Sequence, residues 1–143
     1  MNKKKVLVIV AHPDDEVIWC GGTLLENKDS WDVTIISLCR KKDSDRAPKF
    51  FKACKFFDAT GFISDLDDSE SGDYKKVSLD EIKVRILNFL KEKNFDLIFT
   101  HGQNGEYGHI RHKQVHKAVA HLIDSKELSA SRIYFFNYLE KNG

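Results

Sequence analysis

The chain has 143 residues, 41% hydrophobic and 31% charged, with 23 basic side chains against 22 acidic. That length suits one domain with a continuous core, and a formal net charge of +1 gives no long-range basic field for nucleic acid. No stretch approaches the ~20 apolar residues of an integral membrane segment.

Met1-Asn-Lys-Lys-Lys5 opens a start with neither a long apolar core nor a small-residue cleavage site. Lys3 to Lys5 reads as a solvated terminus. Cys20, Cys39 and Cys54 are scattered and lack CxxC spacing, so reduced thiols in a cytoplasmic protein are expected.

The elements alternate along the chain. Lys5 to Val10 is a continuous β-branched run, as expected for a strand buried on both faces. Asp15 to Asn27 follows as a helix whose Gly21-Gly22 pair suggests close packing, since glycine there costs ~1 kcal/mol each. Trp31 to Leu38 is a second strand, Asp45 to Asp58 a helix with Pro48 in its first turn, and Gly61 to Ser64 a short third strand. Asp65 to Lys76 is a polar, acidic loop. Ser78-Leu-Asp-Glu81 is a capping box that opens a helix to Lys93, with Ile82, Ile86, Phe89 and Leu90 on one face. Asp96 to Thr100 is a fourth strand, Gln103 to Gly108 a glycine-rich loop, Arg111 to Asp124 a helix, and Arg132 to Leu139 a last strand.

Five strands separated by helices imply an α/β fold: a Rossmann-like three-layer sandwich around a mainly parallel sheet. In such sheets ligands bind beyond the carboxyl ends of the strands, where the order reverses. With an order of 3-2-1-4-5 the first and fourth strands are neighbours there. The string His12-Pro-Asp-Asp-Glu16 after the first strand would then meet the string His101 to His112 after the fourth.

His12 and Asp15 can bend toward one point from a turn entering a helix. His109, His112 and His116 share one face of a helix. Two imidazoles and a carboxylate with one open position make a catalytic zinc shell, which brings the pKa of water to ~7 and polarises a carbonyl. Asp14, left over beside a ligand, could take a proton from that water. His109 could hydrogen-bond the developing oxyanion, as an imidazolium, or protonate a leaving amine. The inventory suits metal-assisted amide hydrolysis.

Ala11-His-Pro-Asp-Asp-Glu16 after a first strand, with Gly105-Glu-Tyr-Gly-His109-x-x-His112 later, resembles the LmbE-like (PIG-L) deacetylases. Those are zinc enzymes that remove acetyl from N-acetylglucosamine-type groups. The resemblance covers roughly the whole chain and implies a single domain, 1–143, acting on a small-molecule N-acetyl amino sugar or glycoconjugate. It implies one Zn2+ per chain on His12, Asp15 and His112, with another divalent transition metal an alternative. Asp14 becomes the general base and His109 the acid or oxyanion stabiliser. Arg46, and with it Asn104, Glu106 and Tyr107 of the glycine-rich loop, are assigned to substrate. The chain departs from the family in two ways. Ile110-Arg111 stands where Pro-Asp is frequent, and the C-terminal part that often walls the pocket is short, which a homo-oligomer could complete.

Two other readings use the same residues. A phosphorelay receiver domain would place Mg2+ on Asp14-Asp15 with Asp65 and Thr100, leaving the histidines unused and offering no lysine after the last strand before Lys141. A non-catalytic member of the deacetylase family would bind zinc or sugar without turnover. Among the remaining residues, His101 is either a pocket residue or a strand-end hydrogen-bonding group, and His116 either a partner of the ligands or a helix-face residue. His121 suits a helix dipole. Asp65, Asp67, Asp68 and Glu70 read as a solvated loop, Cys20 as a buried thiol, and Phe50, Phe51, Phe56 and Phe57 as core or subunit contacts.

Overall fold

Strand β1 (Lys4–Val10) sits at the centre of the molecule, and its alternation divides the core in two. Val6, Val8 and Val10 point to one face of the sheet and Leu7 and Ile9 to the other, all fully buried. The structure, a computed structural model, describes residues 2–68 and 76–138; Glu70, Leu139 and Lys141 lie outside them.

The order along the chain is β1, α1 (Asp15–Glu26), β2 (Trp31–Cys39), α2 (Arg46–Phe56), β3 (Ala59–Leu66), α3 (Leu79–Phe89), β4 (Asn94–Thr100), a single irregular turn α4 (Gly105–Gly108), α5 (Ile110–Asp124) and β5 (Ser129–Phe135). The five strands run β3-β2-β1-β4-β5, all pairs parallel. Helices α1 and α2 cover the valine face through Cys20, Leu24, Phe50 and Cys54. Helices α3 and α5 cover the other through Ile82, Ile86, Val115 and Val119. This is the α/β sandwich and the strand order expected. It is not the 2-1-3-4-5 order of a receiver domain, and Asp65 is drawn away to Arg85 at 2.8 Å.

Local differences have local causes. Ser78 caps α3 by accepting from the Glu81 N–H, but the helix stops at Phe89 rather than Lys93. The Lys93 ammonium folds back to donate to the carbonyls of Leu87 and Leu90 and so closes the helix end. Strand β5 begins three residues early because Ser129 pairs with Asn94. The Gly21-Gly22 pair is not closely packed: a Cβ at Gly21 would make ordinary contact with the Phe57 ring at 3.6 Å, and one at Gly22 would meet nothing. Tight approaches are at Gly61, where a Cβ would sit 2.6 Å from the Cys54 sulfur, and at Gly102, where one would sit 2.6 Å from the Phe136 carbonyl oxygen. Phe50 and Phe57 are core, whereas Phe51 and Phe56 are exposed. No helix among the described residues is long and apolar enough to cross a membrane.

Candidate metal and active site

The cluster lies at the carboxyl ends of β1 and β4, the pair flanking the reversal of strand order. Asp14 has φ 112° and ψ −28°, a left-handed conformation costly for a non-glycine residue and typical of functional turns. This turn puts Asp15 in the first turn of α1. There the Asp15 carboxylate accepts from the His12 N–H at 3.0 Å, while the Asp14 carboxylate faces the cleft.

Three atoms that could hold a metal ion then converge. His12 Nδ1 is 3.3 Å from His112 Nε2 and 3.4 Å from Asp15 Oδ2, and His112 Nε2 is 3.3 Å from the same oxygen. Donors bound at 2.0–2.1 Å in a tetrahedron stand about 3.3–3.4 Å apart, so the triangle has the edges of one face of a divalent-metal shell. All three residues are buried. The electrostatics fit as well. Burial opposes charge at all three, yet their mutual contacts prevail: Asp15 is held far below the ordinary carboxylate range by His112 and His12, and Asp15 and Glu106 lift His112 to about 9. Buried positive charge is favoured here, and a cation would displace those protons.

Each imidazole has a partner on its far side. His12 Nε2 lies 3.1 Å from Asp68 Oδ1, and Arg40 Nε donates to Asp68 Oδ2 at 3.1 Å. Asp68 is therefore part of the site, not of a solvated loop, its side chain only 7% exposed. The backbone beside it is held by Arg111, one of the two residues that depart from the family pattern. Arg111 is buried and donates to the Asp67 carbonyl, tying α5 to the end of β3. No periodicity could reveal this.

The remaining assignments divide. His109 stacks on His112 at 4.6 Å and meets His12 edge-on at 4.8 Å. Its Nδ1 accepts from the Arg111 N–H, so the neutral ring carries its proton on Nε2. Burial and the charges of His112 and His12 drop its pKa to about 4, making it a neutral donor rather than the imidazolium expected. Arg46 donates to the Pro13 carbonyl at 2.9 Å and to Asp14 Oδ2 at 3.2 Å. Arg46, Tyr107, His109, Asp14, Trp19 and Tyr138 line a cleft of about 410 Å³ whose wall also includes His12 and Asp15.

Asn104 and Glu106 do not face that cleft. Asn104 caps its own turn by accepting from the Glu106 N–H, and Glu106 turns inward to His101 at 2.6 Å. His116 Nδ1–H donates to the His101 carbonyl at 2.9 Å, and His121 is exposed on the last turn of α5. Cys20, Cys39 and Cys54 are free and buried, their thiols pushed up to about 12 by burial.

Glu16 gives the site a pH-dependent stability. It is 1% exposed, accepts from the Asp14 N–H, and burial raises its pKa to about 7 from 4.5. The folded state prefers the protonated form, so this contribution is complete below pH 4.5 and is lost as pH rises through about 7. Glu16→Gln keeps the acceptor without the charge. In metal-free protein it should raise stability by up to about 3 kcal/mol at alkaline pH, with the gain vanishing near pH 4.5. Thermal melts across that range check this; a pH-independent difference contradicts it.

A doubly wound sheet carrying a His-Asp-His triangle at its switch point defines an α/β protein with a site fit for a divalent cation. The family model described as PIG-L: GlcNAc-PI de-N-acetylase matches residues 7–123, and the chain belongs to that family. It is 29% identical over 95% of its length to an uncharacterized protein, L374, of Acanthamoeba polyphaga mimivirus, covering 63% of that protein. It is 21% identical over 90% of its length to the 1D-myo-inositol 2-acetamido-2-deoxy-alpha-D-glucopyranoside deacetylase of Rhodococcus erythropolis, covering 56% of it. The chain thus spans about three fifths of these curated relatives.

Among solved structures, the conserved protein TT1542 of Thermus thermophilus superposes with a TM-score of 0.70 at 18% identity, over 98% of this chain and 69% of that one. GalB, the 4-carboxy-2-hydroxymuconate hydratase of Pseudomonas putida, does so at 0.58 and 16%, over 80% of this chain and 55% of that one. These two show the fold alone, so the chemistry must be argued from the site.

Proposed function

We propose that the chain is a zinc-dependent hydrolase that removes acetyl from an N-acetylated amino sugar or its conjugate. The observation that supports this most is the convergence of the His12, Asp15 and His112 ligand atoms, 3.3–3.4 Å apart, beneath a cleft that also presents Asp14, His109 and Arg46.

When bound by His12, Asp15 and His112, the cation would polarise the amide carbonyl and make water acidic enough to attack near neutral pH. Asp14 takes the proton from that water. Burial and the neighbouring Asp15 charge raise its pKa, which suits a group that must accept a proton and then deliver it to the departing amine. Arg46 orients the carboxylate. His109 Nε2–H hydrogen-bonds the oxygen on which negative charge grows. Trp19 and Tyr107, stacked at 6.5 Å, offer an apolar wall for a sugar face. The three reduced, buried thiols support a cytoplasmic setting for this single domain.

The test is acetate release by Zn2+-loaded protein from a panel of N-acetylated amino sugars. Turnover of at least one is expected, with His109→Ala losing on the order of 10²–10³-fold in kcat at nearly unchanged KM. A metal-loaded chain that cleaves none of the panel contradicts the enzyme reading, and normal turnover by the variant makes His109 a structural neighbour.

A further inference from the structure

Glu106 belongs to a loop whose next residue, Tyr107, lines the cleft, yet its own carboxylate is buried away from it. Its backbone is at φ 63° and ψ −71°, a conformation L-residues rarely adopt, and this is what turns the side chain inward. We propose that Glu106, acting with His101, is the positioning residue that fixes the ring and the tautomer of His112 for a divalent cation. This rests on the metal-dependent reading above.

The hydrogen bonds set one another in sequence. The Ala11 N–H donates to His101 Nε2 at 2.9 Å, so that nitrogen carries no proton and cannot serve as a ligand. His101 must therefore donate from Nδ1, and it does so to Glu106 Oε1 at 2.6 Å. The second carboxylate oxygen faces His112 Nδ1 at 3.7 Å. Among the described residues, these two buried atoms are left without any hydrogen-bond partner, and each is the group the other lacks. The His101 ring lies flat on that of His112, centroids 3.9 Å apart at 19°, so the rings move together.

Two N–H groups thus converge on one side chain, and only a group with two acceptors and no donor suits both. A proton held on His112 Nδ1 leaves the Nε2 lone pair aimed at the ligand triangle, the role that outer carboxylates play for metal-bound histidines. The network also joins the two ligand-bearing segments, because Ala11 precedes His12 and His112 lies on α5.

Glu106→Gln is the sharpest test. Its amide matches the carboxylate in size but offers one acceptor and one donor, so one ring must take the other tautomer. The dissociation constant for Zn2+, measured by chelator competition, should rise roughly 10–100-fold, while the metal-stripped variant keeps the wild-type circular dichroism. If the glutamine variant does not fold, Glu106→Asp replaces it: both acceptors remain, but one methylene shorter cannot reach both rings, and weaker Zn2+ binding is again expected. A folded variant of either kind that binds Zn2+ as wild type does overturns the positioning role. Wild-type protein that binds no Zn2+ overturns the metal centre and this role together. Wild-type protein that binds Zn2+ but deacetylates nothing overturns only the reading of function, and the comparison of affinities still decides the role of Glu106.

Discussion

His112→Ala is expected to give a folded chain that no longer retains a divalent ion. The substitution removes one corner of a triangle whose edges are 3.3–3.4 Å and leaves a single imidazole and a carboxylate. Its effect should exceed the roughly 10–100-fold loss typical of changing a partner behind a ligand. Metal content per chain after gel filtration checks this, with His121→Ala as the control, since His121 is exposed on the last turn of α5. Equal metal in wild type and His112→Ala would remove His112 from the ligand set.

Asp14→Asn should separate binding from chemistry. The Asp14 carboxylate points into the cleft and pairs with Arg46 at 3.2 Å, whereas Asp15 supplies the oxygen of the triangle. Asparagine preserves the shape but cannot take a proton from water, so metal content should stay at the wild-type level while turnover falls on the order of 10²–10⁴-fold. Loss of metal together with activity would show that Asp14 is itself a ligand and that the two aspartates exchange roles.

Much of this was legible in the amino-acid order. The unbroken Val6 to Val10 run could only be a strand covered on both faces, and alternation of strands with helices demands parallel pairing. That pairing brings the ends of β1 and β4 together, so His12, Asp15 and His112 could be brought to one place before any side chain was placed. Asp68 was not legible, because an acidic stretch looks solvated until burial is known; Arg40 and His12 pair with it. Glu106 escaped for another reason. In a glycine-rich loop there is no periodicity to tell inside from outside, and one positive φ decides it. The charge of His109 depends on what surrounds it, which spacing does not report.

The two histidines of the triangle are 100 positions apart in the chain, His12 and His112, and this has a consequence for how the molecule comes apart. An ion gripping both ends of that span would be a reversible cross-link between the first strand and the last helix, made only when everything between them is in place. The unfolded chain, whose donors are scattered through a long loop, would bind it more weakly. Metal supply would then set the lifetime of the fold as well as its chemistry: free ion at a hundred times the dissociation constant adds about 2.7 kcal/mol to unfolding. A starved cell would hold a chain that opens, and is degraded, more readily than a replete one.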